Sequence, residues 1–176
     1  MKLTCCVSLM ICLTIACHVQ AESGPAAGSD VPELKVAAVA GLVSGEEKDF
    51  VAERKDQPTF YVFVQADKFD RPVARFLKVL DQTLAKDHRE AQIIAVWLTA
   101  DQEKSKTYLP IAQQSIKLEQ TIWTVFPGEK TGPAKWDIDI ASTVTVVVAN
   151  GAKVLKSFEY GSINDTVVPE ILKSLK

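Results

Sequence analysis

Residues 59–84 read TFYVFVQADKFDRPVARFLKVLDQTL, and this stretch decides the fold. Its opening run, Thr59 to Val64, is aromatic or β-branched throughout, with no alternation of polar and apolar positions. Such a run predicts a central strand covered on both faces. The period then changes. Val73, Phe76, Leu77, Leu80 and Leu84 recur at helical spacing, with Arg75, Lys78, Asp81 and Gln82 expected to face solvent. Asp70 can accept from a free backbone N–H at the start of that helix, and its charge suits the positive helix end. Pro72 fits the first turn, where a missing N–H costs nothing.

The same reading extends outward. Upstream, Leu34 to Ala40 leans to strand and Ser44-Gly45 marks a turn. Downstream, Ile93 to Leu98 is a second buried strand, and Asp101 caps a helix over roughly 102–115, interrupted or kinked at Pro110. Thr121 to Phe126 is a third strand, Gly132 to Ile138 holds one short helical turn, and Thr143 to Val148 is a fourth strand. Asn150-Gly151 is a strong hairpin signal, returning the chain over Lys153 to Tyr160. Thr166 to Leu175 closes as an amphipathic helix. Alternating strands and helices ending in a hairpin predict an α/β sandwich with a mixed sheet, parallel through the crossovers and antiparallel at the end.

The 176 residues are 47% apolar and 24% charged, which fits one globular domain. All four cysteines, Cys5, Cys6, Cys12 and Cys17, and both methionines lie in the first seventeen positions. Lys2, the apolar run Leu3 to Cys17 and Val19-Gln20-Ala21 form the three regions of an export signal, with cleavage expected after Ala21. The apolar run is short for a membrane span, which needs about 20 residues. The expected organisation is a signal peptide at 1–21, a flexible Ser/Gly/Pro/Ala linker at 22–33 and a domain at 34–176, exported to a periplasmic, cell-surface or extracellular site. The exported chain would contain no sulfur, which excludes thiol catalysis, disulfides and thiolate metal centres from it. Thr14-Ile15-Ala16-Cys17 resembles a degraded bacterial lipobox, so lipidation at Cys17 is the alternative to simple secretion and the one expected route to a membrane. Net charge is −2, with no basic excess to point to nucleic acid.

The order of elements resembles the thioredoxin-like fold, in the redoxin and peroxiredoxin branch: a three-layer sandwich on a central mixed sheet with an N-terminal β extension. Phe69-Asp70-Arg71-Pro72-Val73 resembles the family's aromatic-Cys-x-Pro-Cys active site, with Asp70 and Val73 standing for the two cysteines. Ala141-Ser142-Thr143 with the strand that follows resembles the family's cis-proline strand, Thr143 taking the proline's place. The resemblance implies a substrate groove between these two segments. Phe69, Asp70, Arg71, Pro72, Val73, Trp136, Ser142 and Thr143 are therefore the expected binding residues.

Family redox chemistry needs a thiolate at the helix N terminus. With Asp70 and Val73 there, the expectation is a redox-inactive module that binds a protein or peptide, is not an enzyme, and has no catalytic residues, cofactor or metal. The alternatives are a metal-dependent enzyme using Asp67 and Asp70, and a lipid-tethered structural envelope protein.

Overall fold

The computed structural model describes residues 23–175 except Ser44 and Glu46. The export signal, its cleavage point and Cys17 lie outside the described residues. Seven strands form one sheet: β1 (Lys35–Gly41), β2 (Glu47–Asp49), β3 (Pro58–Gln65), β4 (Gln92–Leu98), β5 (Thr121–Val125), β6 (Val144–Asn150) and β7 (Lys153–Tyr160). Their order is β2-β1-β5-β4-β3-β6-β7. β3, β4 and β5 run parallel, and the other neighbours pair antiparallel. The helices are α1 (Phe50–Glu53), α2 (Arg71–Asp87), α3 (Gln102–Ile116) and α4 (Val168–Lys173). This is the mixed α/β sheet expected from the sequence.

β3 is an interior strand, next to the central β4 on one side and paired with β6 on the other. Its side chains alternate between two cores. Phe60, Val62 and Val64 pack with Val73, Phe76, Leu77, Leu80 and Leu84 of α2, Leu109 of α3 and Ile171 of α4. Tyr61 and Phe63 face the other way, toward Leu34, Phe50 and Trp136. Each large side chain so buried stabilises the fold by about 1.5–3 kcal/mol. The three longer helices thus share one face, while α1 and irregular chain cover the other.

Three local expectations are corrected. α3 runs unbroken through Pro110, because the carbonyl the proline leaves unbonded belongs to Lys106, on the exposed side. Asp81, expected to face solvent, is 1% exposed. The segment 22–33, expected as a flexible linker, is laid against the sheet over its described part. Gly28 N donates to Val154 O at 2.8 Å, Val154 N to Ser29 O at 3.0 Å, and Val31 N to Ala152 O at 2.9 Å. Ser23 Oγ shares a 2.7 Å hydrogen bond with Thr145 Oγ1 and accepts from Asp139 N at 2.9 Å. Composition favoured a loose linker, but the paired backbone groups and the buried Val31 hold this strap down.

At the β6–β7 turn, Gly151 sits at φ +61°, and a Cβ there would stand 2.7 Å from Lys55 O. Both facts call for glycine, as the Asn-Gly signal implied.

Candidate functional site: an aromatic cleft beside the α2 N terminus

The site is assembled where β3 ends and α2 begins. Ala66–Lys68 forms a single 3-10 turn, Phe69 is extended, and Asp70 caps α2. Asp70 Oδ1 accepts from Val73 N at 3.0 Å, as its position implied. Asp70, Arg71 and Pro72 are exposed and Phe69 is half-buried. Val73 is fully buried in the helix-face core, which removes it from the expected contact surface.

The other half of the expected groove is closed. Trp136 is 0% exposed and lies on the opposite face of the sheet, with its ring 5.1 Å from Tyr61 and 4.9 Å from Phe63. Its indole Nε1 donates to Glu33 O at 3.2 Å, so it is core rather than a contact residue. Thr143 N donates to Tyr160 O at 2.8 Å, and Thr143 O accepts from Gln65 N at 3.2 Å. Its hydroxyl donates to Gly161 O at 2.7 Å, and the residue is 9% exposed. Ser142, also buried, donates its hydroxyl to Glu159 Oε1. Lys68 seals this side: its Nζ donates to Ile140 O at 2.9 Å and Ala141 O at 2.6 Å, and reaches Ser142 O at 3.4 Å. Sheet pairing and this lysine together consume the polar groups that a groove at Thr143 would need. All described peptide bonds, including the one before Thr143, are trans.

The open concavity lies on the other side of Phe69. A cleft of about 440 Å³ is bounded by the 66–69 turn, the end of β4 with Thr99 and Ala100, and the first two turns of α3. Phe69, Trp97 and Tyr108 form its aromatic wall: the Phe69 ring is 4.8 Å from Trp97 and 6.4 Å from Tyr108. Trp123 backs the cluster at 5.8 Å from Trp97. Tyr108 remains 43% exposed. The floor is fixed by hydroxyls. Asp101 N donates to Thr99 Oγ1 at 3.0 Å, and Ser105 Oγ reaches Thr99 Oγ1 at 3.2 Å and Asp101 O at 2.9 Å. Lys104 and Lys130 line the cleft together with Asp67 and Asp101. Asp101 Oδ1 accepts from Lys104 N at 3.0 Å and so is committed to capping α3.

Sequence reasoning missed Trp97, Tyr108, Lys104 and Lys130. Trp97 is core, as its place in a buried strand implied, at 2% exposed, and it also reaches the cleft because it stands one residue before the end of β4. Crevices at the carboxyl ends of parallel strands are the usual ligand positions in open α/β sheets, and β4 followed by the Asp101 cap carried that signal. Asp67 and Asp70 are the acids of the metal alternative. The described residues contain no cluster of three His, Cys, Asp or Glu able to join them, and Asp70 is engaged in its cap.

No family model matches the chain, and no curated protein is similar to it. Solved structures are similar in fold. A thiol:disulfide interchange protein DsbE from Chlorobium tepidum superposes with a TM-score of 0.60 at 14% identity, over 85% of this chain and 95% of that one. A thiol peroxidase from Chromobacterium violaceum gives 0.59 at 12% identity, over 88% and 87%. The exposed lipoprotein thioredoxin Etrx1 from Streptococcus pneumoniae gives 0.54 at 12% identity, over 81% and 98%. These neighbours overturn the expectation that the chain is not an enzyme. A thiol peroxidase and a thiol:disulfide interchange protein, both redox enzymes, share its fold, and its own four cysteines all lie outside the described residues. Sheet order, helix placement and these neighbours agree that the domain has a thioredoxin-like fold.

Proposed function

We propose that the chain is an exported thioredoxin-like domain that binds a protein or peptide through the cleft beside the α2 N terminus. One observation carries this reading: a concave, aromatic-walled cleft opens beside Phe69, with Tyr108 left exposed at its edge. Exposed aromatic anchors next to a preformed concavity are what peptide recognition uses. In this reading Phe69, next to the positions that hold thiols in the fold's redox enzymes, is a wall of the binding site. Export is supported by the charged, apolar and small-residue order of residues 1–21. One fold neighbour is itself an exposed lipoprotein.

Panning a displayed peptide library against the protein, followed by calorimetry on the selected peptides, tests the reading. Tyr108→Ala removes an exposed side chain and keeps the fold. We expect it to weaken selected peptides by about thirtyfold, the usual cost of truncating an aromatic anchor. Peptides that bind this variant and Phe69→Ala as tightly as the parent would overturn the cleft as the site. Turnover of insulin disulfides or peroxide above background would replace binding with catalysis as the primary activity.

A further inference from the structure

We propose that the cleft takes the C-terminal residue of an extended peptide, an aromatic or branched aliphatic side chain carrying a free α-carboxylate. This rests on the peptide-binding reading above and narrows it. Three observations lead there. The wall made by Phe69, Trp97 and Tyr108 is apolar, and a cleft of about 440 Å³ suits one large side chain with its adjoining main chain better than a long segment. The charged groups around it are not equivalent. Asp101 is spent on the α3 cap, whereas Lys104 and Lys130 make no ion pair among the described residues. Both line the cleft, one from α3 and one from the loop after β5, and together they supply it with two cationic side chains. Asp67, exposed on the turn before α2, disfavours ligands with several carboxylates and is an acceptor for a peptide N–H. The main chain of one of these lysines is tied to β3: Gln65, at the strand's end, donates through Nε2 to Lys130 O at 3.4 Å.

The probes are acetyl-Ala-Ala-Phe as free acid, the same peptide as C-terminal amide, and free phenylalanine, titrated against the protein with tryptophan emission as the readout. Trp97 lies in the wall of the cleft, so occupancy reports directly. The acid should bind about tenfold more tightly than the amide, the worth of a charge-assisted contact. Lys104→Ala combined with Lys130→Ala should bring acid and amide to within about twofold of each other. Phe69→Ala should weaken both peptides. Equal binding of acid and amide would overturn the terminal-carboxylate inference and leave peptide binding standing. Binding of neither peptide by the folded protein would overturn both. Free phenylalanine binding as tightly as the acid peptide would overturn the peptide as the source and assign the cleft to a free amino acid.

Discussion

Asp81 shows how much one side chain carries. Buried in α2, its carboxylate accepts from Glu119 N and Gln120 N, each at 2.8 Å, and from Thr121 Oγ1 at 2.7 Å. It therefore satisfies three donors where the chain leaves α3 and enters β5. Asp81→Asn turns an acceptor into an N–H₂ facing those donors and should cost about 2 kcal/mol in urea unfolding. The periodicity contained this answer, since Asp81 is four residues after Leu77 and three before Leu84, within the apolar stripe. Residue type alone had placed it outside.

Tyr160 is the opposite case. Its buried hydroxyl has no hydrogen-bond partner among the described residues. Tyr160→Phe should stabilise the protein by about 0.5–1 kcal/mol. Burial pushes the Tyr160 phenol up to about 12, and burial raises Tyr61 further. Both phenols stay neutral in the folded chain while unfolded tyrosines ionise near pH 10. The contribution is present below pH 10 and is lost as pH rises toward 12. Urea midpoints measured from pH 9 to 12 should fall over that window, and Tyr160→Phe should flatten the fall.

At the scale of elements, α2 was the most legible part of the chain. Its cap, its proline and its stripe all act within one helix, so spacing along the sequence is spacing in space. The expected groove failed because it depended on contacts across 70 residues. Nothing local to Lys68 announces that its ammonium will meet the carbonyls of Ile140 and Ala141. Lys68→Met keeps the stem and removes the donors. We expect the 140–142 loop to exchange amide hydrogens at least tenfold faster, with a stability loss of about 1 kcal/mol. The strap over β7 was hidden for the same reason. Its glycines and serines read as a linker by composition, while its partners Val154, Thr145 and Asp139 lie more than a hundred residues away. A chain starting at Leu34 should lose about 3 kcal/mol or more by denaturant titration, since Val31 leaves the core and backbone pairs break.

Across the whole molecule, six of the seven strands, the hairpin and the mixed pairing followed from the sequence because each of those strands announces its own burial; β2, three polar residues long, announces nothing. Strand order did not follow, and it decides which end residues become neighbours. β4 lies between β3 and β5, which brings Trp97 beside Trp123 and sets the aromatic wall of the cleft. With α2, α3 and α4 on one face, the other face has Trp136 and Leu34 as its lid. That is why a tryptophan in an irregular segment became core. Trp136→Ala should cost about 3–5 kcal/mol by thermal or denaturant unfolding, a core-sized loss that a surface tryptophan would not produce.

The docked strap has a further consequence for where the domain can stand. Its first described residue, Ser23, is pinned beside Thr145 and Asp139, next to the loop that Lys68 clamps. Ser23 stands only six positions after Cys17. Fully stretched, that segment spans roughly 20 Å. A lipid on Cys17 would then hold the domain on a short leash, within its own radius of the bilayer, with the clamped loop on the side turned to the anchor. Release by cleavage after Ala21 would leave Glu22 as a one-residue overhang on an already fastened end.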